Sequence, residues 1–239
     1  MISAIVICTL YVALLFGITK LFGVKYTEIT KTTDNIKKGL LLPVSIVTII
    51  LTLFAVIFNW IPDVFTFSPR NENIILWVIP FIYVVGIFIR LQHAAWKDFT
   101  KKGLLYLFFG SLLVGFSEEL LVRGVVVTAL LDSGYTILLT GVISSVIFGA
   151  LHIINYFNGQ SFKITLLQVV ATTLMGINFY VVFIITGTLW APMLLHFIFD
   201  FSLLVQGGDL NKLSGKEKKV EPILALLLYV AALGALFLI

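Results

Sequence analysis

Eight apolar segments, each near the length of a membrane crossing, follow one another along this chain with short connections between them. They run over roughly 2–19, 39–58, 74–95, 104–131, 135–157, 162–187, 189–206 and 222–239. A spanning helix needs about 20 apolar residues, within a range of roughly 17–25. In lipid, helices and closed barrels alone satisfy every backbone group. The expected fold is therefore all-α, a polytopic transmembrane helix bundle of about eight spans. Composition agrees: 60% of the 239 residues are hydrophobic and 12% are charged, where a soluble domain carries about 25% charged residues.

The connections divide by charge. Lys20, Lys25, Lys31, Lys37 and Lys38 follow the first span. Arg90, Lys97, Lys101 and Lys102 surround the third connection, Lys163 the fifth, and Lys212, Lys216, Lys218 and Lys219 the seventh. Of the 16 Lys and Arg, 14 lie in the odd-numbered connections or at their edges, Arg70 falls in an even-numbered one, and Arg123 lies deep inside a span. The positive-inside rule places the odd connections in the cytoplasm and both termini outside. Net charge is +4 and spread over loops, which argues for a lipid-bilayer partner and against nucleic acid. Cys8 is the single cysteine, so neither an intramolecular disulfide nor a cysteine zinc site is available. Met1-Ile2-Ser3 lacks a basic start, so the first segment reads as a retained span. The Ile-, Lys- and Asn-rich composition suggests a bacterial cell membrane.

Inside the fourth span stand three charges, in Gly115-Phe-Ser-Glu118-Glu119-Leu-Leu-Val-Arg123-Gly124. Each costs roughly 2.5–3.5 kcal/mol at the centre of a membrane helix on insertion scales. Glu119 and Arg123 are four apart and share a helical face, so they are expected to pair. Glu118 points elsewhere and is left free to act. Two of the three histidines also lie in spans: His152 in the fifth, and His196 in the seventh, four residues before Asp200. The third, His93, sits at a span end and reads as interfacial. Polar groups in lipid turn towards the bundle interior, so Glu118, His152, His196 and Asp200 should converge between spans 4, 5 and 7. A carboxylate beside imidazoles is equipment for acid–base hydrolysis, and also for holding a divalent metal. By residue type alone, catalysis, a proton or ion pathway and a structural polar core all stay open.

Three motifs occur in order in these spans: Glu118-Glu119-x-x-x-Arg123, Phe148-x-x-x-His152 and His196-x-x-x-Asp200. Together they resemble the CPBP (CAAX protease and bacteriocin-processing, or Abi) family, which is similar to the type II CAAX prenyl endopeptidases. The stretch from Thr186 to His196 resembles the segment leading into the family's last motif. The resemblance implies a catalytic core over 104–206, preceded by a three-span region, 1–103, and followed by a loop and final span, 207–239. It implies an intramembrane endopeptidase that cuts a membrane-associated peptide or protein tail near the cytoplasmic face. In that reading Glu118 activates water, His152 assists, and His196 and Asp200 bind the oxyanion. Glu119, Arg123 and Phe148 support them. In a metalloprotease version, Glu118, His152 and His196 ligate a divalent ion such as zinc.

Asp200 complicates the metal-free version. An Asn amide donates hydrogen bonds; an ionised Asp only accepts. That asymmetry favours a metal, whereas the absence of His-Glu-x-x-His removes the strongest local zinc signature. Substrates in CAAX-type processing, peptide-signal maturation or bacteriocin self-immunity all fit the resemblance. So does a non-proteolytic immunity or regulatory protein built on the same fold. A transporter is less well matched, since no broken-helix repeat is evident. Pro192, four residues before His196, reads either as a kink that opens the site or as neutral. Gly115, Gly124, Gly149 and Gly176 read as helix-packing positions.

Overall fold

The computed structural model describes residues 2–58, 65–66, 68–207 and 220–239. The basic residues expected between spans 7 and 8, Lys212 to Lys219, lie outside them. Eight helices carry the fold, and no strand occurs among the described residues. Six are long and apolar enough to cross a membrane: α1 (Ile2–Phe22), α2 (Thr33–Ile57), α3 (Ile74–Gln92), α4 (Lys101–Asp132), α5 (Ile137–Phe157) and α6 (Phe162–Thr186). Two are shorter, α7 (Trp190–Leu204) and α8 (Val220–Ala235). The chain is thus an integral membrane helical bundle.

Hydrogen bonds between connections show how many times it crosses. At one end, Lys20 Nζ donates to the Phe157 carbonyl at 2.9 Å and the Thr33 and Thr100 hydroxyls meet at 2.8 Å. Ala95 N donates to Val205 O at 2.9 Å at the same end. These contacts join connections one, three, five and seven. At the other end, Arg70 N donates to Ile184 O at 2.8 Å, Thr188 Oγ1 to Phe65 O at 3.2 Å, and Asn71 Nδ2 to Leu238 O at 3.1 Å. Even-numbered connections two and six thus meet the C-terminus there. Alternation of this kind requires α7 and α8 to traverse the bundle despite their length. It also puts Leu238 with connections two and six at one end, and connections one, three and five at the other.

Helix α6 is the centre. From Gly176 to Gly187 every residue is buried, and α5, α7, α8 and the edge of α3 surround it. Outward-facing Ile49, Leu53, Phe81, Val84 and Phe88 are exposed, as lipid-facing side chains should be. Small residues set how closely the inner helices approach. A Cβ on Gly115 of α4 would sit 2.7 Å from Phe197 N and 2.8 Å from Met193 O of α7, so only glycine permits this crossing. Gly149 and Gly176 play the same part between α5 and α6. The α6–α7 turn depends on Gly187, a helix cap with φ of 64°, in the left-handed region that favours glycine. Pro192 lies in the first turn of α7. There its missing N–H is one that the helix would leave unpaired anyway, so it starts the helix and introduces no kink.

Candidate active site

Helix α4 is interrupted where the charges lie. Regular turns end at Glu119, and Leu120–Val126 form a π-helical stretch before α-helix resumes. Such wide turns recur at functional sites. The expected Glu119–Arg123 pair is present within this stretch, with Arg123 Nη1 donating to Glu119 Oε1 at 2.9 Å and both side chains fully buried. Arg123 Nη2 donates to the Gly176 carbonyl of α6 at 2.7 Å. The guanidinium carbon also stands 4.6 Å from the Phe148 ring centroid and 5.7 Å from that of Phe179. A cation in hydrocarbon must find anions, carbonyls or ring faces, and Arg123 has all three.

Glu119 does more than pair with Arg123. The same Oε1 lies 3.0 Å from His196 Nδ1. A carboxylate accepts, so Nδ1 carries the proton and donates. That fixes the imidazole edge and turns Nε2 towards Asp200, whose Oδ2 is 3.4 Å away. Phe179 stacks on the His196 ring at 4.8 Å, with Phe148 edge-on at 5.7 Å. Arg123, Glu119 and His196 are therefore one braced unit inside a box of two phenylalanines.

His152 lies at the C-terminal cap of the first segment of α5, where the chain turns before Ile154–Phe157. The sequence reading placed it deep in a continuous span; the structure places it at a break. Its Nδ1 is 3.0 Å from the Phe148 carbonyl. A carbonyl only accepts, so Nδ1 holds the proton and Nε2 keeps its lone pair. Glu118 stands within electrostatic reach of His152, His196 and Asp200. Its Oε2 is buried with no hydrogen-bond partner among the described residues. Glu119 Oε2 is likewise buried without a partner, so the two adjacent glutamates differ through Glu119 Oε1, which a cation and an imidazole hold while Glu118 has no such bond among the described residues. His93 caps α3 in an exposed position, as expected of an interfacial residue.

Four expected residues, Glu118, His152, His196 and Asp200, come together from the three helices that hold spans 4, 5 and 7. A fourth helix was missed. Gln168, Thr172 and Gly176 are four apart on α6 and share a face. Gly176 holds Arg123, and Gln168 accepts from Asn155 Nδ2 at 3.0 Å and donates to the Tyr26 hydroxyl at 3.1 Å. A polar stripe in an apolar span was the available signal. Phe179 carried none, being one apolar residue in an apolar run.

As arranged, the donors do not fit a metal. No three His, Cys, Asp or Glu among the described residues are grouped to hold an ion. His196 has Nδ1 on Glu119 and Nε2 towards Asp200, and no step below is routed through an ion.

The fold and the site define a class: a multi-pass helical membrane protein with an acid–base cluster enclosed in its bundle. Comparison with known families adds the particular likeness. Residues 100–202 match the family described as Type II CAAX prenyl endopeptidase Rce1-like, and that segment takes in all three motifs. The match therefore falls on the same segment as the resemblance carried by those motifs. No curated protein matches the chain.

Proposed function

We propose that this protein is an intramembrane endopeptidase in which Glu118 activates water against a peptide bond. The observation that carries the reading is the division of labour between the adjacent glutamates. Glu119 Oε1 is held by Arg123 and His196, so that carboxylate braces a histidine; Glu118 makes no such bond among the described residues and lies within electrostatic reach of two imidazoles. A free carboxylate that is costly in lipid needs a task.

The chemistry follows from the tautomers. Water bound between Glu118 and His152 Nε2 loses a proton to one of them as its oxygen attacks the carbonyl carbon. The carbonyl oxygen becomes an oxyanion. His196, fixed through Nδ1 by Glu119, turns Nε2 towards it; as imidazolium it donates there, with Asp200 balancing its charge. Collapse breaks the C–N bond, and the proton taken from water passes to the leaving amine. The products are a carboxylic acid and an amine, so the atoms balance. His152 and Asp200 each stand five residues from a contact at the basic end of the bundle, Phe157 and Val205. We infer that the substrate is a CAAX-type tail of a membrane-associated protein, reached from the cytoplasmic face.

The test is cleavage of an internally quenched farnesylated CAAX peptide, and of its unprenylated twin, by purified protein in detergent. Glu118→Gln and His152→Ala should each abolish turnover while the unfolding temperature stays near that of wild type. Full activity in either variant would sink the assignment. A wild type inactive on both peptides returns the question to non-proteolytic roles.

A further inference from the structure

Tyr26 lies in the α1–α2 connection, outside the segment that matches the family, yet it is tied to the site. Its backbone N–H donates to Asn158 O at 3.0 Å, and its ring packs against the cluster around Ile29, Ile36 and Leu40. Its hydroxyl oxygen accepts from Gln168 Nε2 at 3.1 Å, and Gln168 Oε1 accepts from Asn155 Nδ2 at 3.0 Å. Asn155 is three residues beyond His152 and donates its own backbone N–H to the His152 carbonyl at 3.1 Å. The phenol is therefore positioned by the same turn of α5 that positions His152. It stands within electrostatic reach of Asp200 and Glu118.

The site has a deficit that this phenol can meet. An oxyanion is held best by more than one preorganised donor. Among Glu118, His152, His196 and Asp200, the mechanism above leaves only His196 to donate. Asp200, when ionised, accepts only, and His152 Nδ1 is spent on Phe148 O. The Tyr26 oxygen uses a lone pair on Gln168, so its proton remains to be given, and no acceptor takes it among the described residues. Burial pushes the Tyr26 hydroxyl up to about 12, so it keeps that proton at any pH used for assay.

We propose that the Tyr26 hydroxyl is the second hydrogen-bond donor to the carbonyl oxygen of the scissile bond, aimed by the Gln168–Asn155 relay. This rests on the endopeptidase reading. No bond to Tyr26 forms or breaks; it stabilises charge that develops on substrate.

The experiment measures kcat and KM for Tyr26→Phe, Gln168→Leu, Glu118→Gln and wild type on the farnesylated and unprenylated quenched peptides, with unfolding temperatures alongside. Loss of one oxyanion donor lowers kcat by roughly 10²–10³-fold, so Tyr26→Phe should lose about 100-fold in kcat with KM and unfolding temperature nearly unchanged. Gln168→Leu leaves the hydroxyl present but unaimed and should lose about tenfold. Wild-type kcat in Tyr26→Phe beside a dead Glu118→Gln overturns this inference and leaves the endopeptidase standing. A loss confined to KM, or one matched by a lower unfolding temperature, overturns it too, because it marks a structural role. A wild type that cleaves neither peptide removes both readings.

Discussion

Gly115→Ala tests whether the site depends on how closely α4 and α7 approach. The added Cβ would fall 2.7 Å from Phe197 N, 2.8 Å from Met193 O and 3.1 Å from Phe197 Cα. All three are backbone atoms, so no side chain can rotate aside. Ordinary contact begins near 3.4 Å, and α7 must therefore retreat by about 0.7 Å, the shortfall at Phe197 N. Phe197 is the neighbour of His196, whose bond to Glu119 spans 3.0 Å across the same two helices. The same retreat stretches that bond to about 3.7 Å, beyond hydrogen-bond range. Overpacking of this kind costs about 1–3 kcal/mol, and a misplacement near 1 Å lowers turnover by up to about 100-fold. The assay is peptide cleavage together with thermal unfolding in detergent. We expect a modest fall in unfolding temperature and a loss in kcat of between 10- and 100-fold. Full activity in a folded Gly115→Ala protein would refute the claim that helix spacing sets the His196 geometry.

Other perturbations follow from the same geometry. Arg123→Met strands Glu119 in a dry interior; removing one partner of such a pair costs about 3–5 kcal/mol, so the variant should unfold far below wild type or fail to accumulate, and accumulation at wild-type stability would contradict the bracing role. Glu119→Gln keeps the shape but weakens the hold on His196, and should lower kcat more than it raises KM. Chelation by EDTA or phenanthroline should leave cleavage unchanged, whereas loss that zinc restores would overturn direct glutamate catalysis. In sealed vesicles, Glu28→Cys and Lys101→Cys should react with an impermeant maleimide from the cytoplasmic side and Glu72→Cys from the other; the reverse pattern would invert the orientation.

Much of this architecture could be read from sequence because lipid leaves so few options. A run of apolar residues must be helix, and basic residues must gather at one end, so segment boundaries and alternation followed from composition. The Glu119–Arg123 pair followed from four-residue spacing. What escaped has physical reasons. His152 ends a helix because the chain turns there, but the segment stays mostly apolar to Phe157, with Asn155 the one further polar residue, so hydropathy marks no break. Pro192 was open to a kink until the start of α7 was known. The tie from Glu119 to His196 joins residues 77 apart, and no periodicity within one helix reports a contact between two. Likewise the contribution of α6 rests on the carbonyl of Gly176, a backbone group that residue type cannot reveal.

The shortness of α7 has a consequence for the surrounding lipid. At 1.5 Å per residue, its 15 residues reach about 22 Å, against roughly 30 Å of hydrocarbon. The bilayer beside α7 must dip to meet the ends of that helix, at a cost of a fraction of a kcal/mol for each Å of mismatch. The dip lies next to His196 and Asp200, so under the proposed function it shortens the path by which water and a polar tail reach Glu118. Acyl-chain length then becomes a control on turnover: thin bilayers should relieve the distortion and speed the enzyme, and thick ones should slow it.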